Sequence, residues 1–284
     1  MNILQILPEL NVGGVETGVV GLAKCLVAQG HKSVVVSHGG VMVAQLEAEG
    51  SKHYTLPVHK KNIFTMYFCI GKLVSIIKKE KIDIVDCQSR VPAWIAFFAC
   101  RQTDAHFQTT CHGYYSVHLF SKVMGWGKLM VAISEVIGRH MIQDFKTPVE
   151  NIRHIPRSVD DEKFNLPRPS KSDKKALTVV IVGRITPLKG HSYFLKAMAR
   201  VIQKLPSVKI QVIGDAPAKK QPYKEELILL TKRLGISDKV EFMGNRSDVP
   251  ELLSKADCLV LSTIYPLFGR GNKRSTKGWI IQNT

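Results

Sequence analysis

The sequence predicts an α/β protein made of two Rossmann-like doubly wound domains, the second incomplete. Three observations carry that expectation. Short apolar runs alternate with amphipathic stretches, the pattern of parallel strands joined by crossover helices. The alternation lapses into Pro, Ser and charge at residues 164–175 and then restarts. Residues 177–284 are all that remain for the second alternation, short of a full domain of this kind.

Residues 2–7 are a continuous apolar run, read as a buried strand, and Asn11, Val12, Gly13 and Gly14 follow as a turn. Residues 16–29 have a helical rhythm in Val19, Val20, Leu22, Ala23, Leu26 and Val27 and stop at Gly30, a good helix end. Residues 32–37 are the second strand. Helices are expected over 41–49, ending at Gly50, and over 64–79, whose basic end suits the negative pole of its dipole. A strand at 82–87, a buried helix at 92–101, strands at 106–110 and 128–133 and a helix at 134–145 complete the first half. In the second half, strands at 177–183, 208–214, 240–243 and 258–262 alternate with helices at 191–204, 224–234 and 249–255. The expected divisions are a first domain at 1–168, a linker at 169–176, a partial second domain at 177–270 and an aberrant basic tail at 271–284.

Forty Lys and Arg against 23 Asp and Glu give a net charge of +17, which favours anionic partners. Nucleic acid is not expected, because zinc-finger spacing, RNP-like aromatic motifs and long basic blocks are all missing. An anionic membrane face or an anionic substrate fits better. The six cysteines, at 25, 69, 87, 100, 111 and 258, form no C-x-x-C pair, and several lie in apolar runs. They read as reduced thiols of a cytoplasmic protein. The N-terminus lacks the basic start of a signal peptide, and the longest apolar run, 63–77, is interrupted by Lys72.

Gly13 and Gly14 lie between the first strand and the first helix, where ligands of open α/β sheets bind. Paired glycines let a ligand approach the backbone, although a tight turn alone would also account for them. The stretch Val182-Gly183-Arg184-Ile185-Thr186-Pro187-Leu188-Lys189-Gly190 is more informative. A strand ends, a loop presents Arg184 and Lys189, and a helix begins with its positive pole toward the same place. Together these suit phosphate oxygens. His112, after the strand at 106–110, could contact a ligand or move a proton. No D-x-D, H-E-x-x-H or G-x-S-x-G occurs, and Asp83-Ile84-Val85-Asp86 has the wrong spacing for the first, so no metal site is expected.

In this order the motifs resemble the family 4 retaining glycosyltransferases of GT-B fold, from residue 1 to about 270. Gly13-Gly14-Val15-Glu16 resembles the family's Gly-Gly-x-Glu opening. Thr110-Cys111-His112-Gly113 is similar to its T-x-H-G, and Val131-Ala132-Ile133-Ser134-Glu135 to its strand ending in Ser-Glu. Ile155-Pro156-Arg157-Ser158-Val159-Asp160 resembles I-P-x-G-V-D, with Ser158 in place of Gly. The 183–190 loop resembles the donor phosphate loop. Val212-Ile213-Gly214-Asp215 and Val240-Glu241-Phe242-Met243-Gly244 resemble the next two strand ends.

The resemblance implies transfer of a sugar, with retained configuration, from a nucleotide diphosphate sugar to a glycan or lipid-linked acceptor, as in lipopolysaccharide and other cell-surface glycan synthesis. No cofactor is implied beyond that donor substrate. It assigns the catalytic part to His112, Arg184 and Lys189. Donor binding falls to Gly13, Gly14, Glu16, Gly183, Gly190, Gly214, Asp215, Met243 and Gly244, and the acceptor to the first domain. The chain departs from the family at Tyr265-Pro266-Leu267-Phe268-Gly269-Arg270, where a donor-gripping glutamate pair belongs. Impaired activity, a tail that is out-of-frame sequence or a degraded terminus, and an unpaired strand edge in the second sheet are therefore expected. The alternative is a non-catalytic remnant that keeps an acceptor- or membrane-facing domain. An oxidoreductase would share the fold class but lacks G-x-G-x-x-G. Lys60, Lys61, Lys72, Lys78, Lys79 and Lys81 flank the apolar 63–77 segment, which suits an ordinary amphipathic crossover helix packed on the sheet or, alternatively, an anionic membrane surface on the inner face of the cell membrane.

Overall fold

A computed structural model of the chain describes residues 1–157, Phe164, 176–264 and 280–282. Backbone contacts divide it into Met1–Val159 and Asp160–Thr284. The first unit is a parallel sheet and the second a parallel sheet with one antiparallel strand, both with covering helices, so the chain has two Rossmann-like α/β domains, the GT-B architecture.

The first sheet holds β1 (Asn2–Ile6), β2 (Lys32–Ser37), β3 (Lys52–Thr55), β4 (Ile84–Cys87), β5 (His106–Cys111), β6 (Leu129–Ala132) and β7 (Ile152–His154). Their order is β3-β2-β1-β4-β5-β6-β7, and every pairing is parallel. The apolar runs are continuous because both faces are covered. On one face Leu4, Ile6, Val34, Val36 and Val85 pack under α3 (Ile63–Glu80) and α4 (Arg90–Cys100). On the other, Val35 packs with Val19, Val20 and Ala23 of α1 (Gly14–Ala28) and Leu46 of α2 (Val43–Ala48). Asn62 caps α3 by accepting from Phe64 N at 2.9 Å. Ser134 caps α5 (Glu135–Gln143) by accepting from Ile137 N at 3.3 Å.

The second sheet holds β8 (Thr178–Val182), β9 (Lys209–Ile213), β10 (Val240–Gly244), β11 (Cys258–Leu261) and β12 (Ile280–Gln282), ordered β10-β9-β8-β11-β12. α6 (His191–Lys204) and α7 (Gln221–Arg233) cover it through Phe194, Leu195, Met198 and Leu227, and α8 (Val249–Lys255) leads into β11.

One expectation is moved by a strand: the described sheet still ends on an open edge, that of β12. The sequence leaves an edge of the second sheet unpaired beyond β11. In the structure β12 pairs antiparallel with β11, Val260 opposite Ile281. Antiparallel addition needs no crossover helix, so a three-residue segment suffices. Among the unforeseen elements are β3, β7 and the 3-10 helix Leu119–Gly125. The linker at 169–176 lies outside the described residues except for Ala176 itself, as do the 265–270 departure and the tail apart from 280–282.

Candidate functional site

Two loop clusters lie at the carboxyl ends of the strands, one per domain, where the strand order reverses. In the first domain that point is between β1 and β4. The loop after β1 is held by backbone bonds from Leu10 N to Gly39 O (2.8 Å) and from Met42 N to Leu10 O (3.0 Å). α1 then starts at Gly14, with Gly13 in extended backbone before it. Glu16, in the first turn, folds back over Gly13, where a Cβ would collide with Glu16 Oε2. Its carboxylate thus sits at the positive pole of α1.

Arg157 reaches this loop from the segment after β7. One guanidinium nitrogen donates to the Gly14 carbonyl, the other to His112 Nδ1 at 2.8 Å. A Cβ on Gly14 would sit 2.7 Å from Arg157 Nη1, so the bare backbone is what admits the guanidinium. His112 follows β5. Its Nε2 pairs with Gln88 Oε1, just past the end of β4. Gln88 Nε2 donates to Asp86 Oδ2 at 2.5 Å, and Thr110 Oγ1 donates to Asp86 Oδ1 at 2.8 Å. Burial, then the Arg157 charge, bring His112 down to about 4, so the imidazole is neutral at pH 7. Burial pushes Asp86 up to about 6.

In the second domain the cluster lies between β8 and β11. Gly183 ends the strand, Arg184 is exposed, and buried Ile185 anchors the loop by a backbone bond to Asp215 O (2.9 Å). The 3-10 turn Pro187–Lys189 follows. Gly190 has φ +68°, and a Cβ there would collide with the Ser262 carbonyl oxygen, so only glycine fits. Ser262 Oγ donates to Lys189 O (3.0 Å), and Ile264 N to Leu188 O (2.7 Å). The Lys189 stem runs across Gly183, 3.8 Å from a Cβ built on it. Gly214 (φ +123°) passes so near Gly183 that a Cβ would run into its carbonyl oxygen. Gly214 N donates to Gly244 O at 2.8 Å, and Met243 is half-buried beside it on β10. Asp215 is engaged by Lys224 of α7 at 2.8 Å, which lowers its pKa.

α6 opens directly after Gly190 with no side chain capping it. Its first residue, His191, is 1% exposed, and neither ring nitrogen has a partner in regular hydrogen-bond geometry. The loop therefore presents two cations and an uncapped helix start, a suitable seat for an anion. The first domain presents a neutral histidine under an arginine. Among the described residues, no three His, Cys, Asp or Glu are placed to hold a metal ion, and no helix is long and apolar enough to cross a membrane.

The structure brings Gly13, Gly14, Glu16 and His112 together in the first domain. It gathers Gly183, Arg184, Lys189, Gly190, Gly214, Asp215, Met243 and Gly244 in the second. It adds Arg157, Gln88, Asp86 and His191, which the sequence does not single out as site residues. Arg157 lies inside a recognised motif, but at its variable position.

Comparison with known proteins places these loops in context. The profile described as Glycosyltransferase Family 4 matches residues 12–163, and that described as Glycosyl transferases group 1 matches residues 162–271. Over 279 residues the chain is 24% identical to a phosphatidylinositol N-acetylglucosaminyltransferase component from Homo sapiens, covering 91% of this chain. It spans 56% of that relative's length. Among solved structures, a glycosyltransferase from Rickettsia africae superposes with a TM-score of 0.81 at 28% identity, covering 93% of this chain and 73% of that one. Anabaena HepE, in complex with UDP and glucose, superposes with a TM-score of 0.78 at 21% identity, covering 93% and 74%. The second likeness is one of fold.

Proposed function

The chain belongs to glycosyltransferase family 4, and from that premise we propose that it transfers a sugar, with retention of configuration, from a nucleoside diphosphate sugar to a glycan or lipid-linked acceptor. The observation that carries the reading is the 183–190 loop. Arg184 and Lys189 lie on it and the uncapped start of α6 follows it, where the diphosphate of a donor would sit. As the bond to the anomeric carbon breaks, negative charge grows on the departing diphosphate. Fixed positive groups lower that barrier more than they favour the bound donor. The family resemblance assigns His112 to the donor sugar and Gly13 and Gly14 to donor binding. The UDP and glucose of HepE support this donor class.

The lipid side of the reading rests on α3. Ile63, Phe64, Tyr67 and Phe68 are 75, 83, 81 and 52% exposed, beside Lys60, Lys61 and Lys72. Aromatic groups flanked by lysines suit the headgroup region of an anionic bilayer. The human relative is named for a phosphatidylinositol N-acetylglucosaminyltransferase, which supports a lipid acceptor.

The test is a transfer and donor-hydrolysis assay over a panel of nucleotide sugars, with Arg184→Ala as control. Turnover with at least one donor is expected, lowered about 100-fold by the substitution. Absence of both turnover and donor binding would overturn the reading in favour of a non-catalytic remnant. For α3, sedimentation with vesicles is expected to require acidic lipid and to weaken in high salt. Salt-insensitive or absent binding would remove the membrane from the proposal.

A further inference from the structure

We infer that Asp86, Gln88 and Arg157 are positioning residues that hold His112 as a neutral imidazole with its proton on Nε2, so that Nδ1 is an acceptor. The chain of donors and acceptors allows no other consistent arrangement. An ionised carboxylate only accepts, so Asp86 forces the Gln88 amide to turn its NH2 inward, at 2.5 Å. The Thr110 hydroxyl occupies the other carboxylate oxygen at 2.8 Å. The Gln88 carbonyl oxygen must then face His112, and Nε2 must donate to it. At the far side of the ring Arg157 has only N–H groups to offer, so Nδ1 at 2.8 Å accepts. A proton on Nδ1 would point at the guanidinium. Asp86 and Gln88 are 3 and 5% exposed, so solvent does not substitute for either.

Arg157 also covers the histidine. It occupies the acceptor nitrogen that faces outward and, through Gly14, the backbone that a ligand would approach. A ligand hydroxyl that reaches Nδ1 must displace it, and an anionic group nearby would draw the guanidinium away. His112 thus selects for a hydrogen-bond donor on its ligand. That last step rests on the proposed sugar transfer. The tautomer itself does not.

The two are tested separately. The full chain, labelled with 15N at histidine, is examined by long-range 1H–15N correlation at pH 7.5. The expected His112 pattern is a protonated Nε2 and an unprotonated Nδ1. Asp86→Asn and Gln88→Met are expected to populate the opposite tautomer or a mixture of the two. A parent with Nδ1–H or a doubly protonated ring would overturn the inference, even if both variants failed to fold. So would an unchanged parental pattern in folded Asp86→Asn and Gln88→Met. With a donor that turns over, both variants should lower kcat about tenfold while KM stays within about twofold. If no donor turns over but the expected spectra are seen, the proposed function falls and the positioning role stands.

Discussion

The two ends of the first domain's sheet each bury a carboxylate, and they treat it oppositely. At the amino end Glu80, 4% exposed, receives Lys32 Nζ at 2.6 Å, Lys52 Nζ at 2.8 Å and the Tyr54 hydroxyl. Those partners bring its pKa down to about 2. At the carboxyl end Asp86 is equally buried, but its donors are the uncharged Thr110 and Gln88, and burial pushes it up to about 6. The difference lies in whether a cation is supplied. The end that only holds strands together neutralises its charge. The end beside His112 leaves the charge costly and uses it for orientation.

The largest effect that could break this contrast is on stability. Glu80→Ala removes the buried acceptor of three hydrogen bonds, from two half-exposed lysines and a hydroxyl, and should cost about 3 kcal/mol in urea unfolding. Activity per folded molecule should not change. A comparable loss from Asp86→Asn would erase the distinction.

A pH series sharpens it, because the two groups act with opposite signs. Glu80 has a depressed pKa, so its contribution is full above about 4.5 and is lost as the pH falls toward 2. Asp86 has a raised one. The unfolded group ionises near 3.8 and the folded group near 6, so stability falls as the pH rises between them. A swing of about 3 kcal/mol is expected across that window, and Asp86→Asn should flatten it. An unaltered profile in the variant would assign the swing elsewhere.

The smallest effect is at pH 7.5. There Asp86→Asn should change stability by less than about 1 kcal/mol, since relief of a buried charge offsets mismatched amide hydrogens. Its mark should be on the His112 spectrum and on turnover instead.

Much of the scaffold is legible in the sequence because its signals are local. Both faces of β2 are buried, and its run of Lys32–Ser37 is apolar enough to be bounded correctly. α6 and α8 likewise carry their own helical rhythm and end where expected. β3 escapes notice because Lys52–Thr55 is a half-buried edge strand with no apolar run, and β7 because it is three residues long. The site divides in the same way. His112 and the 183–190 loop are marked by their place after a strand. Arg157 is not: its partners Gly14 and His112 are 143 and 45 residues away, and nothing in its neighbours announces them. Asp86 and Gln88 become a relay only once β4 lies beside β5, which sets Asp86 against Gln108 and brings Thr110 within reach.

The contact between Gly190 and Ser262 has a mechanical consequence. Leu188 and Lys189 are tied through their carbonyl oxygens to Ile264 and Ser262, and Gly190 leaves no slack against the same backbone. The loop and the exit from β11 therefore form one lever. A ligand that seats on the loop also bears on the backbone of Ser262 and Ile264.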